Sequence, residues 1–160
     1  LKLLLNIFIT LLAIKSCYCQ DEVLKAVRSC YNEANNVEQV QELIRLSSVS
    51  SDHPVILAYN NTAHLMLLDY RYNPIKKYTL FKTHTKKLDS IIKQNPTNIE
   101  LRLLRYTVQN KAPSFLQYNA QLDKDIELIR ANIHKESDYL KKYIQEFLID
   151  FNNVRTSNPS

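Results

Sequence analysis

The amino-acid sequence predicts an all-α fold of six to seven antiparallel helices stacked as helical hairpins, and three observations point there. The first is glycine, which is absent from all 160 residues, where an average usage of ~7% would give about 11. Tight turns between strands usually need glycine at a central position. A helix can instead end on asparagine in the left-handed conformation, and asparagine is abundant here. A codon pool rich in A and T depletes glycine in the same way and shares the explanation. The second observation is that apolar residues recur every three or four positions along the chain, which marks helical faces. The third is that Pro54, Pro74, Pro96 and Pro113 fall where helices would begin or stop, because proline is tolerated in a first turn and disfavours helix before it.

The chain opens with a leader. Leu3 to Ile14 reads LLLNIFITLLAI after Lys2, a basic start and a short apolar centre followed by small residues, as in a secretory signal peptide. The run is shorter than the ~20 apolar residues a membrane span needs. Cleavage after Cys19 would place Cys17 and Cys19 at the small-residue positions and leave Gln20 first. The domain reading is therefore a signal peptide at 1–19, a single helical domain at 20–151 and a polar tail at 152–160. A second reading takes Ile14-Lys15-Ser16-Cys17 as a lipoprotein signal that anchors the chain at Cys17, against which Lys15 counts. Either way the expected location is exported, periplasmic or extracellular. Loss of the leader takes the net charge from +5 to about +3, since Lys2 and Lys15 go with it, and so mild a charge implies no nucleic acid. Cys30 would then be the sole cysteine, with no intramolecular disulfide open to it.

The helices follow in order. Val23 to Ala34 carries Val23, Leu24, Val27, Cys30 and Tyr31 on one face. After Asn35-Asn36, Val37 to Leu46 repeats the pattern and should form a hairpin with the first helix. Asp52 is a plausible cap and Pro54 a first-turn residue for a third helix to Asp69, apolar almost all round, with Ala58, Thr62 and Ala63 small enough for close approach. Asn73-Pro74 opens a fourth, in which Ile75, Tyr78, Phe81, Thr85, Leu88 and Ile92 form the apolar face and Lys76, Lys82, Lys86 and Lys93 another arc. It stops at Asn95-Pro96. From Asn98 to Asn110, Ile99, Leu103 and Tyr106 take one side and Leu101, Leu104 and Val108 another, with Arg102, Arg105 and Gln109 in the stripe between. A helix apolar on two flanks is sandwiched, so those arginine stems should be at least partly covered and would want acidic partners. A short turn from Pro113 carries Phe115, Leu116 and Tyr118. Leu122 to Ile133 and Ser137 to Phe151 complete the set.

Helix pairs of roughly 35 to 40 residues suggest a helical-repeat stack. The tetratricopeptide consensus would want alanine at His84 and glycine or alanine at Tyr72, so the expectation is tetratricopeptide-like architecture without membership. A closer likeness lies between Ala58 and Ile129. Asn73-Pro74 with its lysine-rich helix, Asn95-Pro96-Thr97-Asn98 before IELRLLRYTVQ, and Ala112-Pro113-Ser114-Phe115-Leu116-Gln117-Tyr118 with Asp123-Lys124-Asp125 resemble a group of small exported helical proteins of Bacteroidota-type bacteria. Gln117 stands where that group tends to have glycine. The resemblance implies a fold and a secretory route and transfers no catalytic residue.

Lack of glycine excludes the phosphate-binding loop, the dinucleotide fingerprint, the serine elbow and the EF-hand loop. His53, His64, His84 and His134 are scattered without a metal-binding spacing, so neither metal nor cofactor is expected. Arg102 and Arg105 are the best ligand- or partner-binding candidates, with Gln109 beside them and Tyr118 from the turn, because two guanidinium groups on one face can fork a carboxylate or phosphate. Internal pairing with Asp69, Asp89, Asp123 or Asp125 is nevertheless the favoured assignment, because buried charges demand partners. Lys76, Lys77, Lys82, Lys86, Lys87 and Lys93 could meet anionic lipid or an acidic partner. The leading functional expectation is an exported scaffold that binds a protein or peptide. An enzyme built around Arg102 and Arg105, with no recognisable catalytic residue, and an envelope protein using the basic helix at a membrane surface are the alternatives.

Overall fold

We describe a computed structural model of the chain, covering residues 20–49 and 52–157, with side chains as far as Phe151. The expected signal peptide at 1–19 and the alternative anchor at Cys17 fall outside the described residues. Seven α-helices run through them: α1 over 20–33, α2 Val37–Ser47, α3 Pro54–Met66, α4 Pro74–Gln94, α5 Ile99–Lys111, α6 Leu122–Asn132 and α7 Asp138–Ser157. Short 3-10 turns occupy Leu67–Tyr70, Ser114–Leu116 and Ile133–Lys135, and no strand occurs among the described residues. The fold is all-α. The helices form two compact units that meet within α4, one up to Thr85 and one from Lys86.

In the first unit the α1–α2 turn is held by asparagine and glutamine rather than glycine. Asn36 caps α2, its side-chain oxygen accepting from the Gln39 N–H at 2.9 Å, and the Gln39 side chain accepts from the Asn35 N–H at 2.9 Å. This reciprocal arrangement satisfies donors that a helix start leaves unpaired. At the other end of α2, the Asn60 amide of α3 donates to the Ile44 carbonyl at 3.3 Å and to Ser47 Oγ at 3.0 Å. That ties α3 onto the exposed carbonyls of α2. Val27, Val40, Leu43, Val55, Ile56, Ala58, Tyr59 and Ala63 are buried in this unit, and Tyr31 meets Tyr59 edge-on at 5.1 Å.

Three expectations for this unit are corrected. The cap position of α3 is His53, not Asp52, and its side chain makes no capping bond. The helix then stops at Met66 and tightens into the 3-10 turn Leu67–Tyr70 in place of running on to Asp69. Most consequentially, Ile75 and Tyr78 belong to the apolar stripe of α4 by spacing yet face solvent, while Phe81, Thr85, Leu88 and Ile92 are buried. Two successive steps of three carry Tyr78 and Ile75 off the buried arc, and both are exposed.

The second unit is built on α5, α6 and α7. Ile99, Leu103, Ile129, Tyr143 and Ile144 form its core, with Ile133, Leu140, Phe147 and Leu148 packed around them. Leu101, Leu104 and Val108, the other flank of α5, are buried as well, so α5 is enclosed on both sides as its two-flank pattern predicts. Asn98 caps α5, accepting from the N–H groups of Glu100 at 3.0 Å and Leu101 at 3.1 Å. Helix α7 continues to Ser157, past the end expected at Phe151.

Candidate functional site

The stripe between the two apolar flanks of α5 carries an ionic cluster. Arg105 forks Asp125 of α6, with Nε donating to Oδ2 at 2.7 Å and Nη2 to Oδ1 at 2.8 Å. Its remaining Nη1 donates to Asp89 Oδ1 of α4 at 3.0 Å. Arg102, one turn earlier, donates to Asp125 Oδ1 at 3.1 Å and to the Pro96 carbonyl at 3.0 Å. The Tyr118 hydroxyl closes the group by donating to Asp89 Oδ1 at 3.0 Å. Two arginines meet two aspartates, so the cluster is neutral. Asp125 is 0% exposed and Asp89 41%; one carboxylate is enclosed and the other touches water.

The local sequence explains how these groups meet. Pro113 starts the 3-10 turn Ser114–Leu116, and Gln117 follows in the left-handed region at φ 50° and ψ 41°. That reversal delivers Tyr118 to Asp89. It also places a side chain with a Cβ where glycine fits best, at a cost of ~1–2 kcal/mol. Phe115, in the same turn, is exposed.

The electrostatics follow the geometry. Burial pulls the Arg105 pKa down, but the hydrogen bonds and charges of Asp125 and Asp89 outweigh it and hold the guanidinium above its ordinary value. The Tyr118 hydroxyl is pushed up by burial first, and then by the negative charge and hydrogen bond of Asp89. It therefore stays protonated and donating across the neutral range. Buried charges of this kind survive only when matched, and here each matches another.

The structure brings Arg102, Arg105 and Tyr118 of the expected site together, but as partners of Asp89 and Asp125 rather than as an open anion receptor. Asp69 and Asp123, the other acids considered, are exposed. Gln109 lies outside the cluster, buried, with its side-chain oxygen unpaired, which costs ~1–3 kcal/mol. The Pro96 carbonyl escaped sequence reasoning, since backbone acceptors carry no residue signature. So did a pair in the first unit: the His64 and His84 rings stack at 4.6 Å, and His84 Nδ1 lies 3.0 Å from Asn61 Oδ1. The Asn61 amide donates to the Leu57 carbonyl at 2.8 Å, which leaves its oxygen to accept from His84.

Cys30 sits half-buried in a shallow recess with Ser29, Glu33, Gln39 and Glu42. Burial, then the charges of Glu42 and Glu33, push its thiol above the ordinary range, the opposite of a reactive cysteine. Among the described residues no group of three or more His, Cys, Asp or Glu is placed to hold a metal ion, and no helix is long and apolar enough to cross a membrane. No protein-family model, no curated protein and no solved structure matches the chain.

Proposed function

We propose that the chain is an exported helical scaffold whose tetratricopeptide-like helices present a surface to a protein or peptide, and that the arginine cluster braces the scaffold instead of binding the partner. One observation carries this reading: each guanidinium and each carboxylate of the cluster has an ionic partner within it, with only the buried Arg102 Nε left without a hydrogen bond. A receptor for carboxylate or phosphate keeps its guanidinium forks open to the ligand. Here the Arg105 fork is filled by Asp125 and its third donor by Asp89. The same pairing weighs against an enzyme built around these arginines, since a group that polarises or positions a substrate has to reach it.

Arg102→Ala tests the assignment. Removing one of the two cations on Asp125 costs ~1–3 kcal/mol of unfolding free energy, read by urea titration, while titration with acetate, phosphate and acidic peptides gives the same weak response in variant and parent. Unchanged stability together with loss of a saturable anion response would transfer the site from brace to receptor.

A further inference from the structure

Exposed hydrophobic side chains among the described residues concentrate where the 3-10 turn Leu67–Tyr70 passes into α4. Among the described residues, four of the eight large hydrophobics that face water fall within 70–78: Tyr70, Tyr72, Ile75 and Tyr78. Single exposed apolar side chains are ordinary, but a cluster signals a contact surface. Tyr72 is 100% exposed and Ile75 77%, so their side chains are open to solvent. Interleaved with them are Arg71, Lys76, Lys77 and Lys82, none of which has an ion-pair partner among the described residues. Lys82 Nζ instead rests over the Tyr78 ring at 5.7 Å. The first turn of α4 carries no acid and two lysines, the reverse of the charge that the dipole at a helix start favours. Local stability therefore does not account for those lysines.

We propose that residues 70–82 form a docking tip for an anionic bilayer surface, with Tyr72, Ile75 and Tyr78 at headgroup depth and the four cations against lipid phosphates. Each component suits that partner. Tyrosine has an apolar ring and a polar end and settles at the boundary between headgroups and acyl chains. A lysine lays its stem along that boundary and lifts its charge to the phosphates. The cations have no internal acids to satisfy them, and an anionic surface supplies the complement. This goes beyond the scaffold reading and does not use the arginine cluster, so either can fail without the other.

The chain has no tryptophan, so Tyr72→Trp in the full chain installs a unique reporter at the tip, and Tyr139→Trp, on α7, serves as control. With vesicles of phosphatidylglycerol and phosphatidylethanolamine, emission from position 72 shifts to the blue and is quenched by brominated acyl chains, while position 139 does neither. Phosphatidylcholine vesicles bind at least about ten-fold more weakly, and raised salt releases the protein. Lys76→Glu with Lys77→Glu in the Tyr72→Trp background lowers the partition coefficient by about 25-fold or more, at about five-fold per cation removed. That variant keeps its helicity, because acids in a first turn are favoured, and binding through the leader would not respond to it. The proposal is overturned if position 72 shows no shift on anionic vesicles, if it binds phosphatidylcholine equally well, if the double charge reversal binds unchanged, or if polyglutamate shifts it where vesicles do not, which would make the partner an acidic protein.

Discussion

At the scale of single residues, the two aspartates of the cluster are not equivalent. Asp125 is enclosed and accepts from both arginines, whereas Asp89 is open to water on one side and accepts from Arg105 and Tyr118. Asp89→Asn should therefore cost only ~1 kcal/mol in a urea titration, because solvent screens an exposed partner. Gln117 pays for its left-handed backbone, so Gln117→Gly should raise stability by ~0.5–1 kcal/mol, the relief of the Cβ clash less the extra freedom of unfolded glycine. Cys30 should alkylate more slowly at pH 8 than an unhindered thiol, and Glu42→Gln should speed it by removing one of the two charges that raise its pKa, as peptide mapping of the Cys30 adduct would show. That the arginine stems are at least partly covered was readable from the sequence, since a charged stripe between two apolar flanks lies between neighbours. Which acids cover them was not: Asp89 and Asp125 are distant in sequence, and only the placement of α4 and α6 beside α5 selects them over Asp69 and Asp123.

Element by element, spacing and punctuation located the helices because local sequence controls where a helix starts. Asn98 illustrates this: its side chain takes two N–H groups at the start of α5, and Asn98→Ala should cost ~1 kcal/mol, measured as the shift in urea midpoint. Ile75 and Tyr78 are joined to Phe81 by two successive steps of three, which swing them by ~60° each away from the buried arc, so spacing by threes and fours alone overstated the stripe. Spacing also fails where the answer depends on a neighbour. His64 and His84 gave no signal in sequence, because their stacking depends on α3 lying beside α4. The exposed stripe and the unmatched lysines became informative only together.

On the scale of the whole molecule, the described chain is two compact helical units sharing α4, and their polar interiors set how stability responds to pH. Tyr118 has its pKa raised in the folded protein by burial and by Asp89, so the folded state holds that proton more tightly than the unfolded chain. Its contribution is complete below the unfolded value of ~10 and is lost as pH rises from there toward the folded value. Melting temperature should accordingly fall above about pH 10, and Tyr118→Phe should flatten that fall. Binding at the aromatic and basic tip should depend on salt over a range in which the Arg105–Asp125 pair does not, because exposed charges are screened and buried ones much less so.

The central claim is that Arg105 and Asp125 are bound to each other and not reserved for a ligand. A double-mutant cycle with Arg105→Met and Asp125→Asn, followed by urea unfolding, tests it most directly. Each single substitution should cost ~3–5 kcal/mol by stranding a buried charge, and the double should cost less than the sum by ~2–3 kcal/mol. Strictly additive costs, or an Asp125→Asn variant as stable as the parent, would contradict it.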